Sequence, residues 1–175
     1  QVVPPPGAFL QATDHGEASL LAAVRAALGP QRRIIDLFAG CGTFALPLAE
    51  GAEVHAVEGE AAMTAALDKA ARQTPGLHRV SVETRDLFRR PLEADEFRGA
   101  TGVVIDPPRA GAEAQMGPLA ASRVPVIAMV SCNPISFARD ARVLTAAGYR
   151  LNWVRLVDQF RWSSHVELVG AFSRA

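Results

Sequence analysis

The stretch Arg33-Ile34-Ile35-Asp36-Leu37-Phe38-Ala39-Gly40-Cys41-Gly42-Thr43 decides the fold. Arg33 to Phe38 reads as a short apolar strand that ends in a glycine turn and opens into a helix from Thr43 to Glu50. Glycines let the backbone bend sharply and approach a ligand closely. Gly40-x-Gly42-x-x-Ala45 fits the nucleotide-binding fingerprint, which allows alanine last. The next strand, Glu53 to Glu58, ends in an acid roughly 20 residues on, where a carboxylate accepts from ribose hydroxyls. More than one adenosine-bearing cofactor presents such a ribose, so the turn alone does not choose between them. Asp36, just before the turn, is placed to orient the loop or to meet a cofactor's amino group.

Outward from this stretch the pattern alternates. Residues 16–28 predict an amphipathic helix closed by Gly29-Pro30, and Glu60 to Gln73 an alanine-rich helix stopped near Pro75-Gly76. His78 to Thr84, Thr101 to Asp106 and Val124 to Val130 read as strands. Residues 87–99 read as a polar loop with a helical turn, and residues 112–121 and Ile135 to Ala147 as helices. Tyr149 to Val157 and His165 to Phe172 are strands with only a short loop between them. Strands alternating with helices predict a doubly wound, largely parallel sheet. Two closing strands without a helix predict an antiparallel hairpin at one edge. The expected fold is therefore α/β and Rossmann-like, with a seven-stranded, mostly parallel sheet and a C-terminal antiparallel hairpin. That is the architecture of class I S-adenosylmethionine-dependent methyltransferases, and Asp36 before the first glycine favours that form of the turn over the NAD-binding one.

Three further strand ends carry polar groups where open α/β sheets bind ligands. Asp86 accepts either from an adenine amino group or, as a cap, from backbone N–H groups of the following turn. Asp106-Pro107-Pro108-Arg109 resembles the corner with which amino-methyltransferases hold a base, but Arg109 stands where those enzymes have an aromatic residue. Arg109 adds a forked donor for a phosphate or a base carbonyl. Ser131-Cys132-Asn133-Pro134 places a thiol just before a helix, a position that inclines it to ionise.

Eighteen basic and eighteen acidic side chains cancel, and the only lysine is Lys69. A dominant nucleic-acid-binding surface is strongly basic, so any phosphate contacts belong to a local patch or lie elsewhere. Cys41 and Cys132 form no CxxC pattern, which makes a reducing, cytoplasmic setting the simpler expectation. No apolar run approaches the roughly 20 residues of a membrane span. His15, His55 and His78 show no metal-ligand spacing, and no metal is expected.

Four ordered segments, Asp36–Ala49 (DLFAGCGTFALPLA), Asp106–Gly111 (DPPRAG), Ser131–Asp140 (SCNPISFARD) and His165-Val166-Glu167, resemble the RNA uridine-5-methyltransferases of transfer and ribosomal RNA. The resemblance runs from about Phe9 to the C-terminus. It implies an S-adenosylmethionine-dependent enzyme with an RNA partner. Cys132 would be the nucleophile and Glu167 the general base. Gln11, Phe38, Gly40, Thr43, Glu58, Asp86 and Asp106 would line the methyl-donor pocket, and Arg109 and His165 would meet substrate. His165 shares a strand face with Glu167, so it serves substrate, Glu167 or the structure. Phe160 or Trp162 stacks on the target base or packs as core or lid, and Arg109, Arg161 or a backbone amide would stabilise the oxygen of the enolate formed when the thiolate adds to the ring. Thr13 stands where the family has asparagine, and Asp158-Gln159-Phe160-Arg161 departs from its Asp-Met-Phe-Pro, which bears on substrate identity. Residues 1–8 read as a linker remnant and residues 9–175 as the catalytic domain. The family's N-terminal RNA-binding barrel has no counterpart here, so a domain cut from a longer protein, or a truncated relative, is expected.

The nearest rival is an RNA cytosine-5-methyltransferase. Many of those carry a second cysteine after the acid–proline corner, and this chain has Arg109 there. An adenine amino-methyltransferase, a nicotinamide-dependent oxidoreductase and a cofactor-binding module without independent catalysis are the remaining alternatives.

Overall fold

The computed structural model describes residues 2–8, 11, 13–158 and 166–174 of the chain. Helix α1 (Asp14–Leu28) leads into β1 (Arg33–Leu37), α2 (Ala45–Leu48), β2 (Glu53–Glu58), α3 (Ala61–Gln73) and β3 (Val80–Thr84). Then follow β4 (Gly102–Ile105), α4 (Glu113–Ser122), β5 (Val126–Ser131), α5 (Pro134–Ala146), β6 (Arg150–Val157) and β7 (Glu167–Ser173). Among the described residues the strands form one seven-stranded sheet in the order β3-β2-β1-β4-β5-β7-β6. The first five strands run parallel, while β7 is antiparallel to both β5 and β6. This is the expected doubly wound sheet with its hairpin at one edge. The strand order reverses between β1 and β4, which is where such sheets open a crevice at their carboxyl ends.

Alternation along the central strands divides the core in two. Ile35, Leu37, Val103, Ile105, Ile127 and Met129 face one side and pack with Leu92, Phe97, Met116, Leu119, Phe137 and Leu144. Ile34, Val104, Ala128 and Val130 face the other and pack with Leu20, Val24, Leu28, Phe44, Leu48 and Leu67. Side chains at successive strand positions point to opposite faces, so a parallel strand covered on both sides must be apolar throughout. That explains why these strands read as continuous apolar runs. On β1, Arg33 is exposed at the start of the strand, and Asp36 is the exception among its buried residues, with no exposed surface.

Boundaries moved slightly from expectation, for local reasons. Helix α1 starts at Asp14 because the Thr13 hydroxyl caps it, accepting from the Gly16 N–H at 3.0 Å. Helix α2 is shorter than the predicted Thr43 to Glu50, since the chain is still turning through Gly42 and Phe44. The polar stretch 87–99 is a loop pinned to α4. The buried Gln115 side chain accepts from the Leu92 N–H at 2.8 Å and donates to the Leu92 carbonyl at 3.0 Å. Leu92 and Phe97 fill the core beneath.

Candidate active site

A cavity of about 560 Å³ lies along the carboxyl ends of the parallel strands and the first residue of β7. Gln11, Phe38, Gly40, Thr43, Glu58, Asp86, Asp106, Arg109, Cys132 and Glu167 all line it. These residues, read from the sequence at distant positions, are therefore in one place, whereas Asp36 is not among them. His165 lies outside the described residues, as do Phe160, Arg161 and Trp162.

One end of the cavity is built on β1, β2 and β3. Glu58 ends β2, and its carboxylate ties down the glycine turn. One oxygen accepts from the Gly40 N–H at 3.0 Å and the other from the Glu60 N–H at 2.9 Å. Gly40 has φ +55° and nothing within 4 Å of where a side chain would begin, so the turn is open there. Gly42 differs: at φ +100°, a Cβ would fall 2.4 Å from the Leu67 side chain. Glycine at this position lets the turn close onto α3. Phe38 adopts φ +61°, a conformation uncommon for a bulky residue, and its ring enters the cavity wall. Asp86 lines the cavity and also takes the turn role, accepting from the Phe88 N–H at 3.0 Å and the Arg89 N–H at 3.3 Å.

The other end is built on β4, β5 and β7. Here strand register brings together residues far apart in sequence. Ser131 pairs with Leu168 across the antiparallel β5/β7 ladder, so the next rung sets Cys132 opposite Glu167. Asn133 caps α5, its side-chain oxygen accepting from the Ile135 N–H at 3.0 Å, and Pro134 opens the helix. Asp106 follows β4 and donates its N–H to the Leu37 carbonyl at 3.2 Å.

The electrostatics of this second end differ from the sequence expectation. Burial pushes the Cys132 thiol up from its ordinary value, Glu167 and Asp106 add to the effect, and Arg109 opposes it. The helix start does not ready the thiol for ionisation, because desolvation and two carboxylates outweigh its own backbone N–H and one arginine. Burial also raises Glu167. Asp106 is pushed up to about 7 by burial and by the charge of Glu167. Asp36 sits well above the carboxylate range, first through burial, then through Asp106. Neither of its oxygens has a hydrogen-bond partner. The nearby Ala45 N–H pulls the other way, outside hydrogen-bonding geometry. Asp36 therefore neither bonds to the glycine loop nor lines the cavity. Its buried place under the site was not legible from the glycine motif.

Sequence reasoning missed part of the wall. Met63, Leu87 and Phe88 line the β2/β3 end. Phe88 is 49 % exposed, and its ring centre lies 5.4 Å from that of Phe38 at a tilt. The available signal was an apolar pair directly after Asp86 in an otherwise polar loop. Cys41 also lines the cavity, but it is buried and burial raises its thiol. Among the described residues, no group of three or more His, Cys, Asp or Glu side chains could hold a metal ion.

A doubly wound sheet with this hairpin and a cavity across its switch point is the class I methyltransferase fold, and comparison with known proteins agrees. The fold matches magnesium protoporphyrin IX methyltransferase from Synechocystis PCC 6803 at TM-score 0.68, with 15% identity over 92% of this chain and 79% of that one. It is closer to the Pyrococcus abyssi tRNA (uracil-54, C5)-methyltransferase, solved in complex with S-adenosyl-L-homocysteine, with TM-score 0.82 and 28% identity over 95% of this chain and 40% of that one. Residues 6–174 match the family model described as tRNA (uracil-5-)-methyltransferase, and the chain belongs to that family. An uncharacterized RNA methyltransferase of Rhizobium meliloti is 55% identical over 99% of this chain and 42% of its own length. The 23S rRNA (uracil(1939)-C(5))-methyltransferase of Chromohalobacter salexigens is 40% identical over 93% of this chain and 34% of its own length. The chain thus spans about two fifths of the length of curated relatives such as that of Rhizobium meliloti. Among the described residues no helix is long and apolar enough to cross a membrane.

Proposed function

We propose that this chain is the catalytic part of an S-adenosylmethionine-dependent methyltransferase acting on C5 of uridine in RNA. The observation that carries the reading is the joining of Cys132, Glu167, Asp106 and Arg109 with Gly40, Glu58 and Asp86 in one cavity. The β1–β3 end fits the cofactor. Glu58 keeps lone pairs for ribose hydroxyls beyond its two backbone bonds, Asp86 suits an amino group, and Phe38, Met63, Leu87 and Phe88 offer apolar surface to a purine. When bound, S-adenosylmethionine supplies the methyl group as an electrophilic sulfonium.

The residues at the other end perform the rest. Uracil C5 is a weak carbon nucleophile. The Cys132 sulfur adds to C6, and the C5–C6 π electrons move into an enolate with density at C5. Arg109 at the cavity wall supplies positive charge for the enolate oxygen. C5 then takes the methyl group. The Glu167 carboxylate removes the C5 proton, the electrons re-form the C5–C6 bond, and the thiolate leaves. The raised thiol must lose its proton before attack. Asp106, with raised affinity for a proton, is the acceptor, which leaves Glu167 ionised for the C5 proton. A uridine held in a stack or stem must leave it to reach this cavity.

RNA containing 5-fluorouridine tests the mechanism directly, because fluorine at C5 cannot be removed as a proton. With S-adenosylmethionine present, a stable protein–RNA adduct should form. Cys132→Ala should abolish the adduct and lower turnover by on the order of 10,000-fold or more. An adduct that persists in Cys132→Ala would overturn the assignment. Cofactor binding without turnover on any RNA would instead leave a binding module.

A further inference from the structure

The loop that carries Arg109 is tied to the helix after Cys132, residue by residue. The Arg109 carbonyl accepts from the Asn133 side-chain amide and from the Ser136 hydroxyl, both at 3.1 Å. The Ala110 carbonyl accepts from Arg139 Nη2 at 2.9 Å. The Ala112 N–H donates to Asp140 Oδ2 at 2.7 Å. Gly111, between them, has φ +82°, and a Cβ there would fall 2.4 Å from Arg139 Nη2, 2.6 Å from Asp140 Oδ2 and 2.9 Å from the Ser136 Cβ. Loop and helix are in contact too close for any side chain at that point.

These partners occupy one face of α5, because residues three and four apart on a helix are neighbours. Asn133 acts twice, capping α5 with its oxygen while its amide holds Arg109. Asp140 is only 3% exposed and uses both oxygens, one on Ala112 and one on the Arg139 guanidinium at 2.8 Å. Keeping a carboxylate there is costly unless it is paired and bonded. An apolar residue would pack as well and would hold no loop. None of Ser136, Arg139 and Asp140 lines the cavity. Yet α5 begins two residues after Cys132, so the thiol and the Arg109 backbone belong to one rigid piece.

We infer that the α5 face of Asn133, Ser136, Arg139 and Asp140 is the positioning device of the substrate end, holding the Arg109 backbone against the helix that follows Cys132 so that the arginine side chain and the thiol reach one pyrimidine. The pyrimidine rests on the function proposed above; the clip itself is built from the protein's own groups. Ser136, Arg139 and Asp140 are positioning residues, acting through Arg109.

Ser136→Ala and Asp140→Asn, each alone and combined with Arg109→Ala in the full chain, test this in two independent ways. The first readout is the pH dependence of Cys132 alkylation by iodoacetamide, which needs neither RNA nor turnover. Arg109 lowers the thiol's proton affinity, so a displaced guanidinium should move the alkylation midpoint upward. Both substitutions should raise it in the same direction as Arg109→Ala and add nothing once Arg109 is gone. Asp140→Asn is the sharper case, because merely removing a negative charge would move the midpoint down. The second readout is adduct formation on 5-fluorouridine RNA. The rate at saturation should fall about 10-fold in each single variant, with S-adenosylhomocysteine affinity within about twofold, and Ser136→Thr should recover it. An unmoved alkylation midpoint in both variants, or losses that add fully to Arg109→Ala, would overturn the inference. Ser136→Ala removes one hydroxyl and carries the test if Asp140→Asn does not fold. If the unaltered protein forms no adduct, the uridine reading fails while the alkylation measurement still decides the clip.

Discussion

The two ends of the cavity are built on opposite principles. At the β1–β3 end the key carboxylate is satisfied: Glu58 takes one backbone N–H on each oxygen. At the β4–β5–β7 end the ionisable groups burden one another. Asp106 and Glu167 sit above their ordinary range, and both push Cys132 upward. A binding surface gains from groups already held in their final geometry. A chemical centre needs groups poised to exchange protons near the working pH. The contrast is what the proposed function requires, with cofactor binding at one end and chemistry at the other.

The harshest way to break this comparison is to remove the proposed base. Glu167→Gln keeps size and hydrogen bonding but cannot accept the C5 proton. Turnover should fall by about 100- to 10,000-fold. The covalent intermediate should then accumulate on ordinary uridine RNA, visible as a band that survives denaturing electrophoresis. In the unaltered protein, the acid limb of the pH–rate profile should lie above the usual carboxylate range, since a carboxylate base must be ionised to act and burial raises Glu167. A Glu167→Gln variant with near-normal turnover would dissolve the distinction between the ends.

The complementary change strikes the binding end. Glu58→Ala leaves two backbone N–H groups without their partner and removes the proposed ribose acceptor. S-adenosylhomocysteine affinity, measured by calorimetry, should fall about 10- to 100-fold. The maximal rate at saturating cofactor should change much less. If Glu58→Ala lowered the maximal rate while sparing affinity, the assignment of ends would be reversed.

A third test concerns stability. Asp106 binds its proton more tightly in the folded chain than in the unfolded one, so the folded state holds more protons between the ordinary carboxylate value and about 7. Its contribution is fully present at low pH and is lost as pH rises through that window. Asp106→Asn removes the titration. Compared with the unaltered protein without cofactor, it should gain on the order of 1–2 kcal/mol above neutral pH, allowing for partial exposure to cavity water. The two proteins should converge near pH 4. Parallel melting curves across this range would show that the acid end carries no such burden.

How much of this was legible beforehand differs between the two ends for a physical reason. The β1–β2 part is local: a strand, a glycine turn and the next acid lie within one crossover unit, so spacing alone places Gly40 near Glu58. The pairing of Cys132 with Glu167 is not local. It depends on the register between β5 and β7, which no spacing encodes, and only the family resemblance suggested it. The state of the thiol was misread for the same reason. A helix start is visible in Asn133-Pro134, whereas the burial and the two carboxylates that override it come from other strands. Asp36 shows the same limit. Its place before the glycines was plain, but its isolation in the core follows from covering helices on both faces.

The smallest expected effect falls on Phe88, which joins the binding end without any ionisable chemistry. Its ring is half exposed, leans on Phe38 and lines the cavity beside Leu87 and Met63. A flat purine against that surface would cover the ring and gain roughly 1 kcal/mol beyond simple burial. Phe88→Ala should therefore weaken S-adenosylhomocysteine binding about 5- to 10-fold, with adduct formation at saturating cofactor unchanged. Phe88→Leu should recover part of the loss through area, and Phe88→Tyr most of it through the ring. If instead Phe88→Ala spares cofactor affinity and raises the RNA concentration needed for half-maximal rate, the ring meets RNA at the cavity mouth. The apolar wall of the binding end would then stop at Leu87, and the border between the two ends would have to be redrawn.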